Sequence, residues 1–248
     1  MKKFLKPMYL PYFTVILGGL GCVCMHWLHT TGMDQRMLLD PLHPGAILVW
    51  IITALMIATA VLLTRPLTGK LRYERIFPRS ISGAVGTAVS AVGIAITAWG
   101  ELNAKTDKII PLSGWIGLLS ALCLLYLAWC RYDQRRPHFS ARCVVLVYLM
   151  MHMLYRYRVW SSDPELLRFF FDLAATVCFV LAVYQRLAIE TGISQRKGYL
   201  CFSMLAVFFA MTALPGSSDH VLLATMAVWA ITDLCNLRSF RSRKQEGA

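Results

Sequence analysis

The sequence predicts an all-α integral membrane protein, a polytopic bundle of about eight transmembrane helices with both termini on the cytoplasmic side. Three observations carry this. Of the 248 residues, 57% are hydrophobic and 15% charged, with a mean hydropathy of +0.56, too apolar for an ordinary soluble domain. The apolar residues fall in blocks of roughly 17 to 23, the length a helix needs to cross about 30 Å of hydrocarbon. Lys and Arg gather in alternate loops, as the short cytoplasmic loops of membrane proteins do. Strands would need about ten residues each, alternating in polarity, and that pattern is absent.

The first span, 10–31, follows the basic start Lys2, Lys3 and Lys6. This start resembles a secretory leader, and Gly19-Leu20-Gly21 offers small residues for cleavage. The apolar run continues through Cys22, Val23, Cys24 and Trp27, longer than a leader's core, so an uncleaved helix is expected. The second span, 45–64, is apolar throughout. In the third, 81–100, Ser82, Gly86 and Ser90 lie four apart on one face. Small residues at that spacing let helix backbones approach closely in lipid, which places this helix centrally. The fourth span covers 112–130. The fifth, 143–160, carries Arg156 and Arg158 in its last turn; without it every later loop would change sides and the charge pattern would break. The sixth, seventh and eighth spans cover 164–186, 198–214 and 221–237.

With eight spans, Arg36, Lys105, Lys108, Arg156, Arg158 and Arg168 alone among the 25 Lys and Arg fall on the outer side. The net charge of +12 is thereby explained by helix orientation and contact with anionic headgroups, with no nucleic acid required. The inner loop 71–77 and the tail 238–244 mix bases with apolar side chains, as segments at a headgroup surface do. Docking of a partner in a membrane complex is the alternative for these segments. There is no linker, low-complexity segment or soluble domain, so 1–248 reads as a single transmembrane domain. All eight Cys sit within or at the ends of spans, where free Cys is a small buried hydrophobe, and no disulfide framework is expected.

The chain has no phosphate-binding Gly-x-x-x-x-Gly-Lys-Ser/Thr loop, no His-Glu-x-x-His zinc pair and no Gly-x-Ser-x-Gly nucleophile turn. This argues against a P-loop ATPase, a zinc metalloprotease and a serine hydrolase, and no catalytic residue is assigned. Ionisable side chains inside a span are costly and therefore single themselves out. His152 lies eight residues before Trp160 and Asp172 eight after Pro164, so both sit about 12 Å below the outer surface. On the fifth helix His152, Tyr155 and Arg156 share a face, and on the sixth Arg168, Asp172 and Thr176 do. Facing one another, these stripes form an outward-facing polar pocket with Asp172 between Arg156 and Arg168. The bland alternative pairs Arg168 with Asp172 along one helix while Arg156 and Arg158 reach for the headgroups.

A second cluster, Cys22, His26 and His29, shares a face at the outer end of the first span, and sulfur with imidazole suits copper or zinc. Haem would need a buried axial His, for which only His152 is deep enough. No cofactor is assigned; a metal or haem stays open as an alternative. Glu101 closes the third span outside, and Asp233 sits near the inner end of the eighth beside Arg238 and Arg241. Both are expected to be satisfied at headgroup level.

The first hairpin, His29-Thr30-Thr31-Gly32-Met33-Asp34 leading into His43-Pro44-Gly45, resembles hairpins in uncharacterised multi-pass membrane proteins of anaerobic Firmicutes. The resemblance covers about the first quarter of the chain, implies a bacterial plasma-membrane setting and transfers no site residues. The residues as a whole point to a small permease-like protein whose polar pocket takes a small solute or protons. The alternatives are a non-transporting membrane subunit or sensor acting through protein partners, and a metal- or haem-binding membrane protein.

Overall fold

A computed structural model describes residues 9–32, 42–65, 80–103, 109–160, 166–193 and 196–236. Among them are eight helices: α1 (Tyr9–Thr31), α2 (Pro44–Thr64), α3 (Ile81–Asn103), α4 (Ile109–Tyr132), α5 (Phe139–Trp160), α6 (Leu166–Glu190), α7 (Arg196–Ala213) and α8 (His220–Cys235). Each expected span overlaps one of these helices. Five of them, α1, α2, α3, α4 and α6, are long and apolar enough to cross a membrane. The other three do not meet that description: α5 carries Arg142, Arg156 and Arg158, α7 opens on Arg196-Lys197, and α8 has 16 residues.

Local sequence sets the helix ends. Pro44 takes the first turn of α2, where a missing N–H costs nothing, and the His43 ring accepts from the Gly45 N–H at 3.1 Å. The other His43 nitrogen lies 3.3 Å from the Thr31 hydroxyl and the ring packs edge-on against Trp27, so this residue closes the α1–α2 hairpin. At the end of α6, Gly192 adopts φ 79° and lets Ile193 N–H reach back to the Ala188 carbonyl.

Packing separates two groups of helices. α3, α4, α5, α6 and α8 form a closed circuit, each touching the next and α8 returning to α3. α7 sits outside that circuit against α6 and α8, and is covered on its other side by α1 and α2. From Ser203 to Ala210 every side chain of α7 is buried, as an apolar helix at the centre of a bundle must be. The central helix is therefore α7, and the small-residue helix α3 lies on the rim. Its outward stripe of Ile81, Val85, Val89, Val92, Ile96 and Trp99 is exposed.

The small face of α3 serves close packing. A methyl group at Gly86 would lie 2.3 Å from the Thr232 hydroxyl, and Ser82 donates to Asn236 at 2.7 Å, so this face is pressed onto α8. Gly86→Ala is expected to cost about 1–3 kcal/mol, because an added methyl must displace a helix. Gly19→Ala and Gly100→Ala, where an added methyl meets nothing within 4 Å, are expected to be neutral. Thermal unfolding of the three variants in detergent, followed by circular dichroism, separates them. Equal loss in all three would remove the close-packing argument.

Candidate functional site

The outward surface of the bundle is apolar, with exposed Ile16, Val23, Ile51, Leu62, Trp115, Leu122 and Trp129 among many others, while Arg131, Arg142, Asp172, Arg186 and Asp233 are buried inside it. A soluble monomer rarely exposes large contiguous apolar patches, whereas hydrocarbon-facing helices do. Buried charged side chains gather in two clusters near opposite ends of the five-helix circuit.

The first cluster is built around His152, 4% exposed on α5. One ring nitrogen, Nδ1, lies 2.7 Å from Glu101 Oε1 at the end of α3, and the other, Nε2, lies 3.3 Å from Asp219 Oδ2 just before α8. Tyr148 and Arg156 stand one turn below and above His152 on the same helix face. Tyr148 donates to Glu101 Oε1 at 3.4 Å, and Arg156 forms an ion pair with the other Asp219 oxygen. His152 therefore joins carboxylates brought from two different helices. Ionised carboxylates only accept, so both contacts are hydrogen bonds at once when the ring carries two protons or a carboxyl carries one.

The predicted pocket residues distribute as follows. His152 and Arg156 are both in this cluster. Asp172 is buried on α6 and its charge acts on Arg156, as does that of Glu101. Tyr155 is half-buried beside Arg156. Thr176 spends its hydroxyl on the Asp172 carbonyl of its own helix at 2.9 Å. Arg168 lies on α6, with its side chain outside the described residues. Sequence reasoning missed Glu101 and Asp219 as partners of His152. Both fall at helix ends, level with the last turns of α5, and nothing in the pattern of residue types marked them as its partners.

The second cluster lies at the other end. Asp233 near the end of α8 pairs through Oδ1 with Arg131 of α4 and through Oδ2 with Arg186 of α6, and accepts from the Tyr199 hydroxyl of α7 at 3.0 Å. All four side chains are buried. Beside them Arg142 of α5, 1% exposed, meets Glu190 of α6 at 2.7 and 2.9 Å. The expected headgroup-level reading of Asp233 does not hold: its partners are internal guanidiniums, and Arg238 and Arg241 lie outside the described residues. Three cations read as cytoplasmic loop charges, Arg131, Arg142 and Arg186, are in fact buried in ion pairs.

The Cys22 face of α1 forms no such cluster. Cys22 is half-buried and His26 exposed, while His29 turns to the α7–α8 connection, where a methyl at Gly216 would lie 2.3 Å from its Nε2. Among the described residues no group of three or more His, Cys, Asp or Glu side chains could hold a metal ion.

An all-helical bundle with apolar outward faces and internal charge clusters defines a helical membrane protein. No family model, curated protein sequence or solved structure matches the chain.

Proposed function

We propose that the chain crosses a bacterial plasma membrane eight times with both termini cytoplasmic, and that it is a small permease-like protein whose outer site around His152 recognises protons or a small solute. The helix ends that meet in each cluster support the topology. Glu101, His152, Arg156 and Asp219 belong to one side of an alternating chain, and Arg131, Arg186, Tyr199 and Asp233 to the other. The distribution of Lys and Arg supports the orientation. The observation that carries the functional reading is His152 held between Glu101 and Asp219, an arrangement able to take up and release a proton inside a membrane-spanning bundle.

The test is flux. Protein reconstituted into liposomes with an internal pH dye is expected to pass protons or a co-moving solute down an imposed gradient, and His152→Ala and Glu101→Gln are expected to abolish that flux. Equal flux in wild-type and variant vesicles under every gradient tried removes the reading.

One observation favours a second reading, a non-transporting membrane subunit or sensor that acts through protein partners. Between the two polar clusters Ile94, Leu124 and Met226 are buried in one continuous apolar core. Purification in mild detergent distinguishes the readings: a stoichiometric partner subunit supports the second, and a monodisperse lone protein with flux supports the first.

A further inference from the structure

We propose that His152 is a proton-operated catch on the start of α8, closed when the ring and its two carboxylates share two protons and released when they lose one. The proposal rests on the reading of His152 as a proton-binding group and holds whether or not the chain transports.

The proton count follows from the geometry. Nδ1 faces Glu101 Oε1 at 2.7 Å and Nε2 faces Asp219 Oδ2 at 3.3 Å. A neutral ring has one N–H, so between two ionised carboxylates it leaves one nitrogen lone pair against a carboxylate oxygen. Which contact gives way depends on what each carboxylate keeps. Glu101 Oε2 is buried with no hydrogen-bond partner among the described residues, and Tyr148 reaches Oε1 at 3.4 Å, so the ring is the nearer donor to this carboxylate. Asp219 keeps the Arg156 guanidinium on its other oxygen. The last ring proton therefore stays with Glu101 on the shorter contact, and Nε2 turns its lone pair on Asp219.

The groups facing this cluster are Glu101 from α3, Tyr148 and Arg156 from α5, and Asp219 from the α7–α8 connection, with the charge of Asp172 of α6 acting on Arg156. From α4, Gly117 packs on the Tyr148 ring. Among these side-chain types imidazole is the one that ordinarily changes charge between about pH 5 and 8. The other end of α8 is held by Asp233 with Arg131, Arg186 and Tyr199, where no imidazole takes part. One end of α8 is thus tied through a titrating ring and the other through fixed charges. Two further rings approach the α7–α8 connection. His220 Nδ1 lies 2.8 Å from the Leu214 carbonyl, to which it donates whether neutral or charged, and His29 packs at Gly216.

The test pairs two measurements on the full-length protein in detergent across that pH range. Nitrogen-15 spectra of labelled histidine follow each ring, with His152→Gln assigning the one at the catch. Hydrogen exchange by mass spectrometry, taken as the ratio of wild type to His152→Gln at each pH, cancels the chemical pH dependence of exchange. Protection of amides 223–227 is expected to fall about tenfold as the His152 ring loses its proton, the loss of one hydrogen bond to a charged group. Amides 229–235 are expected to show no such step. Asp219→Asn, which leaves the ring in place, is expected to abolish the step, and His29→Gln and His220→Gln to keep it. A His152 ring that titrates without the step, or does not titrate in this range, overturns the proposal. So does a step at both ends of α8, or one that His29→Gln or His220→Gln removes. Absence of flux in liposomes changes none of these outcomes, so failure of the permease reading and failure of the catch are distinguished.

Discussion

Asp233→Asn is expected to destabilise the protein by about 3–5 kcal/mol, the range for removing one partner from a buried ion pair. The carboxylate accepts from Arg131, Arg186 and Tyr199, and all four side chains are at most 5% exposed. Asparagine keeps one carbonyl acceptor but turns an amide donor toward guanidiniums that only donate. Two like charges are then left close together without the negative charge between them. The loss is large because the groups cannot return to water without opening the junction of α4, α6, α7 and α8. Unfolding by SDS titration, followed by circular dichroism, measures it. The triple variant Arg131→Met, Arg186→Met, Asp233→Leu is expected to recover most of the loss, since replacing a whole buried ionic group by apolar side chains is often neutral or better. A loss below about 1 kcal/mol for Asp233→Asn would place the pair in a solvated environment and contradict the burial.

How much of this was legible in the sequence differs by level. Helix number and placement were, because a span must be apolar for its full length, and that requirement is written in consecutive residues such as 45–64. Which helix lies at the centre was not. The Ser82, Gly86 and Ser90 stripe was read as central, yet small residues record only that one face approaches a neighbour closely; for α3 that neighbour is α8, and the opposite face is exposed. The signal for α7 was subtler. Phe202, Met204, Val207, Phe208 and Phe209 leave it with no polar side, and an apolar helix facing lipid has no polar side either. Composition cannot separate burial in protein from exposure to hydrocarbon.

The polar clusters were legible in part for a related reason. His152 and Asp172 stood out because an ionisable group inside a span costs free energy wherever it points. Glu101, Asp219, Arg131 and Arg186 sit at helix ends, where the headgroup region satisfies a charge cheaply, so position alone gave no reason to turn them inward. The rule that assigns basic residues to cytoplasmic loops counts each charge once and is blind to whether it faces lipid or a carboxylate. Arg142 shows the limit most plainly: counted as a loop cation, it is 1% exposed and paired with Glu190.

Asp219 makes the second prediction, since it is the residue through which α5 and α8 are joined. It occupies the N-cap position of α8, yet its side chain makes no capping bond. Its oxygens reach across to Arg156 and to His152. Asp219→Asn should therefore leave the start of α8 intact while removing charge from the His152 cluster, at a cost of about 1.5–3 kcal/mol for the lost charged hydrogen bond. In a double-mutant cycle with Arg156→Met the two losses are expected not to add, with a coupling of about 0.5–3 kcal/mol. Additive losses would mean that the pair carries no interaction. The same variant bears on function, because α8 is pinned at both ends by carboxylates, Asp219 to α5 and Asp233 to α4 and α6. A helix held in this way can tilt only when one set of pairs opens. If the His152 site drives a permease, Asp219→Asn should suppress flux in liposomes even where the protein remains folded. Asp219→Ser, which supplies a side chain suited to capping the helix but no charge, should restore part of the stability and none of the flux. Recovery of flux by serine would locate the function of Asp219 in the helix start and not in its contact with His152.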